Sequence, residues 1–511
     1  MKRVVYIFLI ALGVIIIGLS VFAYSNLRDR YSGYKVDITL VSPSNPTLGV
    51  GVAKENITPN VPDRWTDNDL NATYQPEKGD MYEDLNHDGV FNSVWMAGFS
   101  TGRAANGIHD SLWARTIVLD DGKNRIALTS IDAIGFYNTD VIDVRQLIPE
   151  ESRIDYLVVS STHSHEVPDL MGLWGERDLK SGVDPQYKEL VKRKIAASVV
   201  AASKNLRPAR LLFAENHTHG DAIVKDTREP QLKDSGIRVM QAVSEIDQSV
   251  IATVVSMGNH PETIWSSNLL ISSDFPHYLR EALEENYGGM GIYVQGCLGG
   301  LMCTHPSFAV VHPVSGDTLQ EVSWQKVEAV GRTIANGAIE ALKNPVEVTN
   351  VGINLRARTI RFRLDNDLFL AAAAMGIFKT GMSGWRTIRS EITAWTIGPA
   401  TFATVPGELY PEIANGGVDS PLSGDFSLAQ AIESPSIRSQ MNSPFTFVFG
   451  LANDEIGYII PKSQWDVKAP FAYRKEKAQY GEINSLGPET APTLYHGLSE
   501  LLRELNELRT P

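Results

Sequence analysis

Apolar residues recur along this chain in two rhythms. Short unbroken apolar runs at residues 156–160 (YLVVS) and 250–256 (VIATVVS) read as buried strands. Residues 109–119 and Arg125–Ile131, joined by the turn DDGKN, read as a hairpin. Helical periodicity over 138–149, 185–204, 275–287, 320–343 and 494–508 predicts amphipathic helices. Pro185 and Pro276 suit first-turn positions. Strands interleaved with helices indicate a mixed α/β fold. No Pro- or Gly-rich linker divides residues 48–511, so they form a single domain.

One run has no polar face. Residues 4–24 (VVYIFLIALGVIIIGLSVFAY) are uncharged and follow Lys2 and Arg3. About 20 apolar residues suffice for a helix to cross a bilayer. Residues 1–24 are therefore expected to be a transmembrane signal-anchor. The alternative is a signal peptide cleaved near Val21, Phe22 and Ala23, with secretion of the body. Basic residues ahead of the run place the N-terminus in the cytoplasm and the body on the extracytoplasmic side. Residues 25–47 read as a polar linker, and residues 63–92 as a polar insertion.

Charge narrows the partners. The 511 residues carry 46 basic and 60 acidic side chains, a formal charge of −14, which argues against a nucleic-acid binder. The two cysteines, Cys297 and Cys303, form no disulfide framework; they either bridge or sit as small buried residues. Asp84, Asn86 and Asp88 match the front of a calcium-binding loop. Trp95 stands where the closing glutamate belongs, so the segment reads either as a Ca2+ site or as an Asx-rich turn.

The candidate chemistry sits after predicted strands: Asp132, His163, His260, Gln295, Glu408 and Tyr458. Ligands in α/β sheets gather at strand ends. His163 and His165 are two residues apart, so in extended backbone they share a face. Two histidines with one carboxylate are a common catalytic zinc shell. Taken singly, each has a plainer reading: a capped histidine, a solvated carboxylate in the turn before Glu408, a packed tyrosine ring. No HExxH motif is present, and spacing alone does not join these residues.

Seven motifs in order do join them: GIHDSLWAR, SSTHSHEVPDL, NHPET followed by LLISSDFPHYLREALEE, IYVQG, VPGELYPEIA, GLANDEIGYIIP and YGEINSLGPETA. Over residues 48–500 the series resembles the neutral/alkaline (non-lysosomal) ceramidases. The resemblance implies zinc amidohydrolase chemistry on the N-acyl bond of ceramide, and sheets sandwiched between helical layers. It implies His163, His260, Glu408 and Tyr458 as zinc ligands. His165 would lie beside the metal, orienting water or shuttling a proton, and Tyr480 would donate to an oxyanion. Three departures accompany it. Met302 falls where the family has a serine, Glu166-Val167-Pro168 replaces the family's SGP, and only the catalytic domain is represented. The expectation is a membrane-tethered zinc amidohydrolase acting on an N-acyl (sphingo)lipid. The alternatives are a zinc hydrolase of another amide or ester, and an inactive envelope-anchored binding protein.

Overall fold

The computed structural model describes residues 2–418 and 432–509. Helix α1 (Lys2–Leu27) is apolar and long enough to cross a membrane. Strands β1 (Asp37–Leu40), β2 (Gly49–Asn56), β3 (Trp113–Asp120) and β4 (Arg125–Ile131) lead to helix α2 (Asn138–Leu147) and strand β5 (Tyr156–Ser161). Helix α3 (Pro185–Lys204) precedes strands β6 (Arg207–Asn216), β7 (Ile237–Ser244) and β8 (Val250–Met257). Next come α4 (Phe275–Tyr287), β9 (Met290–Gln295), α5 (Trp324–Ala341), β10 (Val346–Val348) and β11 (Ile353–Arg363). The chain continues with α6 (Asp367–Ala374), β12 (Thr387–Ile397), β13 (Ala400–Thr404) and β14 (Glu408–Leu409). Strands β15 (Phe445–Phe449) and β16 (Tyr458–Ile459) and helix α7 (Thr490–Glu507) complete it.

Helix boundaries follow capping chemistry. The Asp184 carboxylate accepts the Gln186 amide at 2.8 Å, with Pro185 in the first turn of α3. Helix α5 starts at Trp324, later than the apolar pattern at 320, because Ser323 caps it by accepting the Lys326 amide at 3.2 Å. Helix α7 starts at Thr490, earlier than expected, with Pro492 in its first turn.

Two sheets stack face to face. The larger has nine strands in the order β9-β8-β7-β6-β2-β3-β4-β5, with β10 also paired to β6. The smaller runs β1-β11-β12-β13-β15. Between them lies a core that includes Ile117, Phe213 and Val254 from one sheet and Trp395, Phe402 and Phe449 from the other. Helices α2 and α3 cover one outer region of the large sheet, α4 and α5 another, and α7 covers the small sheet. The layers are thus helices, sheet, sheet, helices, as expected. Both faces of β3 are covered: Ile117 and Leu119 join the inter-sheet core, Ala114 and Val118 the helical side. That is why such strands read as unbroken apolar runs rather than alternating ones.

Residues 25–47, expected as a linker, lie packed on the body. Strand β1 is an edge strand antiparallel to β11, and Arg389 grips Asp29 at 2.6 and 3.0 Å. Several of its polar side chains, Asp29, Tyr31, Tyr34 and Thr39, bond residues of the body. The 63–92 insertion is also structured. Trp65, Tyr74, Phe91, Tyr82 and Trp95 form a chain of ring contacts, with centroids 4.1 to 6.5 Å apart. Its aromatic residues are too widely spaced to register as a pattern in sequence.

A buried ion pair ties α2 to the small sheet. Arg145 places one nitrogen 2.8 Å from both Glu391 carboxylate oxygens, and Tyr156 and Asn138 also donate to that carboxylate. Removing the cation from a buried pair strands the remaining charge. Arg145→Met is expected to destabilise the protein by about 3–5 kcal/mol. Denaturant unfolding in detergent checks this, and an unchanged midpoint would refute it.

Candidate metal centre and apolar cavity

The large sheet curls until its outermost strands, β5 and β9, approach each other. Ser130 of β4 donates to the Tyr293 carbonyl of β9 at 2.5 Å. The parallel pairs β4/β5 and β8/β9 therefore end side by side. His163 follows the end of β5, and His260 follows the end of β8. Gln295, the last residue of β9, clamps the two loops together. Its side-chain amide donates to Thr162 O at 2.8 Å and Asn259 O at 2.9 Å, and its oxygen accepts the Asn259 amide at 3.2 Å. The His165 amide bonds Pro261 O at 3.0 Å, a further direct link between the loops.

Both loop histidines present the same nitrogen inward. His163 Nδ1 donates to Ile134 O at 2.6 Å, and His260 Nδ1 donates to Met302 O at 2.8 Å. With Nδ1 committed to a carbonyl, Nε2 is left to face the centre. Glu408 Oε2 lies 3.1 Å from His260 Nε2 and 3.6 Å from His163 Nε2. Strand β14 pairs in parallel with β16, setting Glu408 beside Tyr458, whose hydroxyl hydrogen-bonds the carboxylate. His163 holds a left-handed backbone, φ 67°, unusual for a non-glycine residue and a mark of local constraint.

His165 completes a buried trio. The ligand atoms of His163, His165 and His260 lie within 4.8 Å of one another. Among the described residues neither ring nitrogen of His165 has a hydrogen-bond partner, although Nδ1 stands 3.1 Å from Glu262 Oε2. Gly98 makes room for this ring. A Cβ there would fall 2.5 Å from that of His165, and its φ of +109° excludes an ordinary side chain. Beneath the loop, Arg103 bonds Glu166 Oε2 at 2.7 Å and the His165 carbonyl at 3.2 Å. Glu166, where the resembled family has small residues, thus serves a buried ion pair.

Burial pushes the His163 imidazole down to about 4 and His165 well below its ordinary value, so both are neutral near pH 7. Burial also opposes charge on His260, but the Glu408 hydrogen bond and the charges of Glu262 and Glu408 raise it overall. Burial likewise opposes charge on Glu408, yet the neighbouring histidines hold it below its ordinary value. The centre is thus a carboxylate facing imidazole nitrogens, an arrangement that calls for a proton or a cation between them. Buried imidazole nitrogens beside a carboxylate are a donor set that could hold a metal ion.

His163, His165, Glu408, Tyr458 and Tyr480 all line one cavity, enclosing about 920 Å³ with its open mouth. Its remaining wall is largely apolar, including Leu173, Trp174, Phe369, Phe378, Met382 and Ile388. Tyr480 is 56% exposed, its ring 6.0 Å from that of Tyr458. Two buried acids also face the cavity: burial pushes Asp454 up to about 7 and Glu455 well above its ordinary value.

Not every strand-end residue belongs to this centre. Asp132 holds Arg280 at 2.9 and 3.1 Å and so anchors α4. The Met302 side chain is buried, its sulfur 3.3 Å from the Asp234 amide, and only its carbonyl serves His260. The Cys303 thiol instead hydrogen-bonds Glu262. Both cysteines are free. At Asp84, Asn86 and Asp88 the side chains accept local backbone amides, forming an exposed Asx-rich turn. Among the described residues, none of 63–92 lines the cavity. Sequence reading missed Glu262, Asp454 and Glu455 as site residues, although each stands inside a motif quoted above.

A mixed α/β sandwich with a candidate metal centre at converging strand ends has solved counterparts. One is a crystal structure of neutral ceramidase from Pseudomonas aeruginosa. It superposes with a TM-score of 0.65 at 15% identity, covering 92% of this chain and 76% of that one. Another, a ceramidase complexed with C2, gives a TM-score of 0.64 at 14% identity, covering 91% and 76%. The chain therefore has a neutral-ceramidase-like fold. No family model matches the sequence.

The clamp gives a prediction. Gln295→Leu orphans the Thr162 and Asn259 backbone groups, at about 1–3 kcal/mol for each group left unsatisfied. Urea unfolding should register the loss, and a variant as stable as the parent would remove Gln295 from this role.

Proposed function

We propose that the protein is a membrane-tethered, zinc-dependent amidohydrolase. It cleaves an N-acyl lipid amide of the sphingolipid type, with its body on the extracytoplasmic side. The observation that carries this reading is the meeting of His163, His260, Glu408 and Tyr458, with His163, Glu408 and Tyr458 lining an apolar cavity, within a fold shared with neutral ceramidase. Those residues would hold the metal. A zinc ion there supplies Lewis acidity, polarising a carbonyl oxygen and acidifying a water molecule.

The protein's own residues supply the remainder. The Ile134 and Met302 carbonyls keep His163 and His260 turned inward. His165, with its ring nitrogens free of hydrogen bonds, takes a proton from water; Glu262 beside it steadies the resulting cation. The water oxygen bonds to the acyl carbon, the C–N bond breaks, and the proton passes from His165 to the departing amine nitrogen. Tyr480 donates its hydroxyl to the carbonyl oxygen as negative charge builds. The apolar wall accepts the acyl chain and keeps bulk water out.

A second reading, hydrolysis of a different amide or an ester, is favoured by one observation. Met302 brings no hydroxyl to the cavity, its side chain being packed beside Asp234.

The test uses the full chain in detergent. It should bind one zinc and turn over a labelled N-acylsphingosine in a chelator-sensitive manner. His163→Ala and His260→Ala should each cut activity by about 100-fold or more and abolish stoichiometric zinc. Zinc retained in both variants refutes the ligand assignment. Chelator-sensitive turnover confined to an acyl amino acid or an ester selects the second reading.

A further inference from the structure

The end of α1 is bonded to a segment that lines the cavity. The Asn26 side chain donates to Ala374 O at 3.0 Å, at the end of α6. The Met382 amide donates to Leu27 O at 2.8 Å, and Arg28 forms a β-bridge with Met382. Phe369 and Ala373 of α6, with Phe378, Thr380 and Met382 after it, line the cavity. One stretch of chain, residues 367–382, is therefore both the seat of the apolar helix and part of the cavity wall. The Asp29–Arg389 pair and β1 hold this joint to the small sheet, so α1 does not swing freely.

The surface beside that joint is apolar where a water-facing surface would be polar. Leu368 is 68% exposed, Met375 43% and Trp385 81%. The three lie on segments bonded to one another. Arg386, next to Trp385, pairs with Asp367 in the first turn of α6 and donates to Leu364 O at 3.3 Å. The Asn366 side chain, which caps α6, donates to Ile483 O at 2.8 Å, and exposed Ile483 extends the patch toward Tyr480. Arg28, Arg30 and Lys379 are exposed nearby in the chain. An exposed tryptophan and aliphatic tips with adjacent cations are the composition that settles at a bilayer interface.

We infer that Leu368, Met375, Trp385 and Ile483 form a rim that sits in the phospholipid surface where α1 leaves the membrane. The rim opens the cavity toward the lipid phase. A lipid then enters sideways from the leaflet, and its chain moves from bilayer to pocket without crossing water. The occupant is set by continuity: the helix that spans the bilayer ends on the rim's own segment. The inference rests on α1 being a retained anchor, and its test is chosen to need no catalysis.

Full-length protein is reconstituted into phosphatidylcholine vesicles containing lipids brominated along the acyl chain. Brominated lipid should quench part of the tryptophan emission, and Trp385→Phe should remove that part while the variant still floats with the vesicles. Equal quenching in parent and variant, with both floating, would overturn the rim. Protein that does not float would overturn the anchor beneath it. A second arm compares substrates in the same preparation. Leu368→Ser with Trp385→Ser should slow turnover of a bilayer-embedded lipid amide by about tenfold, while leaving a short, water-soluble amide within twofold. Equal losses on both substrates, or none on either, would contradict lateral entry. Failure of all turnover with quenching intact would count against the hydrolase reading and leave the rim standing.

Discussion

Glu408 is a carboxylate held out of water with imidazole nitrogens aimed at it. A buried anion costs several kcal/mol in lost hydration unless a partner compensates. Here the partners are committed in advance. His163 and His260 each give their Nδ1 hydrogen to a backbone carbonyl, so Nε2 faces the carboxylate. A lone pair facing an anion is repulsive, and only positive charge in the middle relieves it. A proton on His260 meets this need in the protein alone, and a divalent cation would meet it better. Much of the surrounding architecture can be understood as maintaining that demand.

Maintenance begins with the curl of the large sheet. Strands β5 and β9 are its two ends, yet Gln295 reaches from one to the loop of the other. Arg103 and Glu166 form a second brace beneath His165, both fully buried, and Asn268 shares the carboxylate at 2.9 Å. These polar clamps exclude alternative packings of loops that have little regular structure of their own. Gly98 does the converse, keeping a space that any side chain would close.

The local grammar of the fold was readable before the structure. Apolar runs at 156–160 and 250–256 are strands, and the helices after Asp184 and Asp274 begin at their caps. The candidate ligands rest on motif order, which links His163 to Glu408 across more than two hundred positions; no periodicity does so. What escaped depends on long-range geometry. Asp132 and Gln295 look alike in sequence, polar residues after apolar strands, yet one holds Arg280 and the other joins two loops. Residues 302 and 303 point oppositely, and which one faced the site depended on the β-bridge between His260 and Cys303. In the 25–47 segment Asp29 and Tyr31 are polar yet bond Arg389 and Asp143 of the body. Composition cannot distinguish that from solvation.

The most direct test of this account locates the cation. A crystal of the protein grown with zinc, measured on both sides of the zinc absorption edge, should show one strong anomalous peak. The predicted position is within bonding distance of His163 Nε2, His260 Nε2 and Glu408, with Tyr458 beside it. A peak elsewhere, or none at all in protein whose Glu408 still contacts His260, would contradict the claim that the arrangement of these residues is a metal centre.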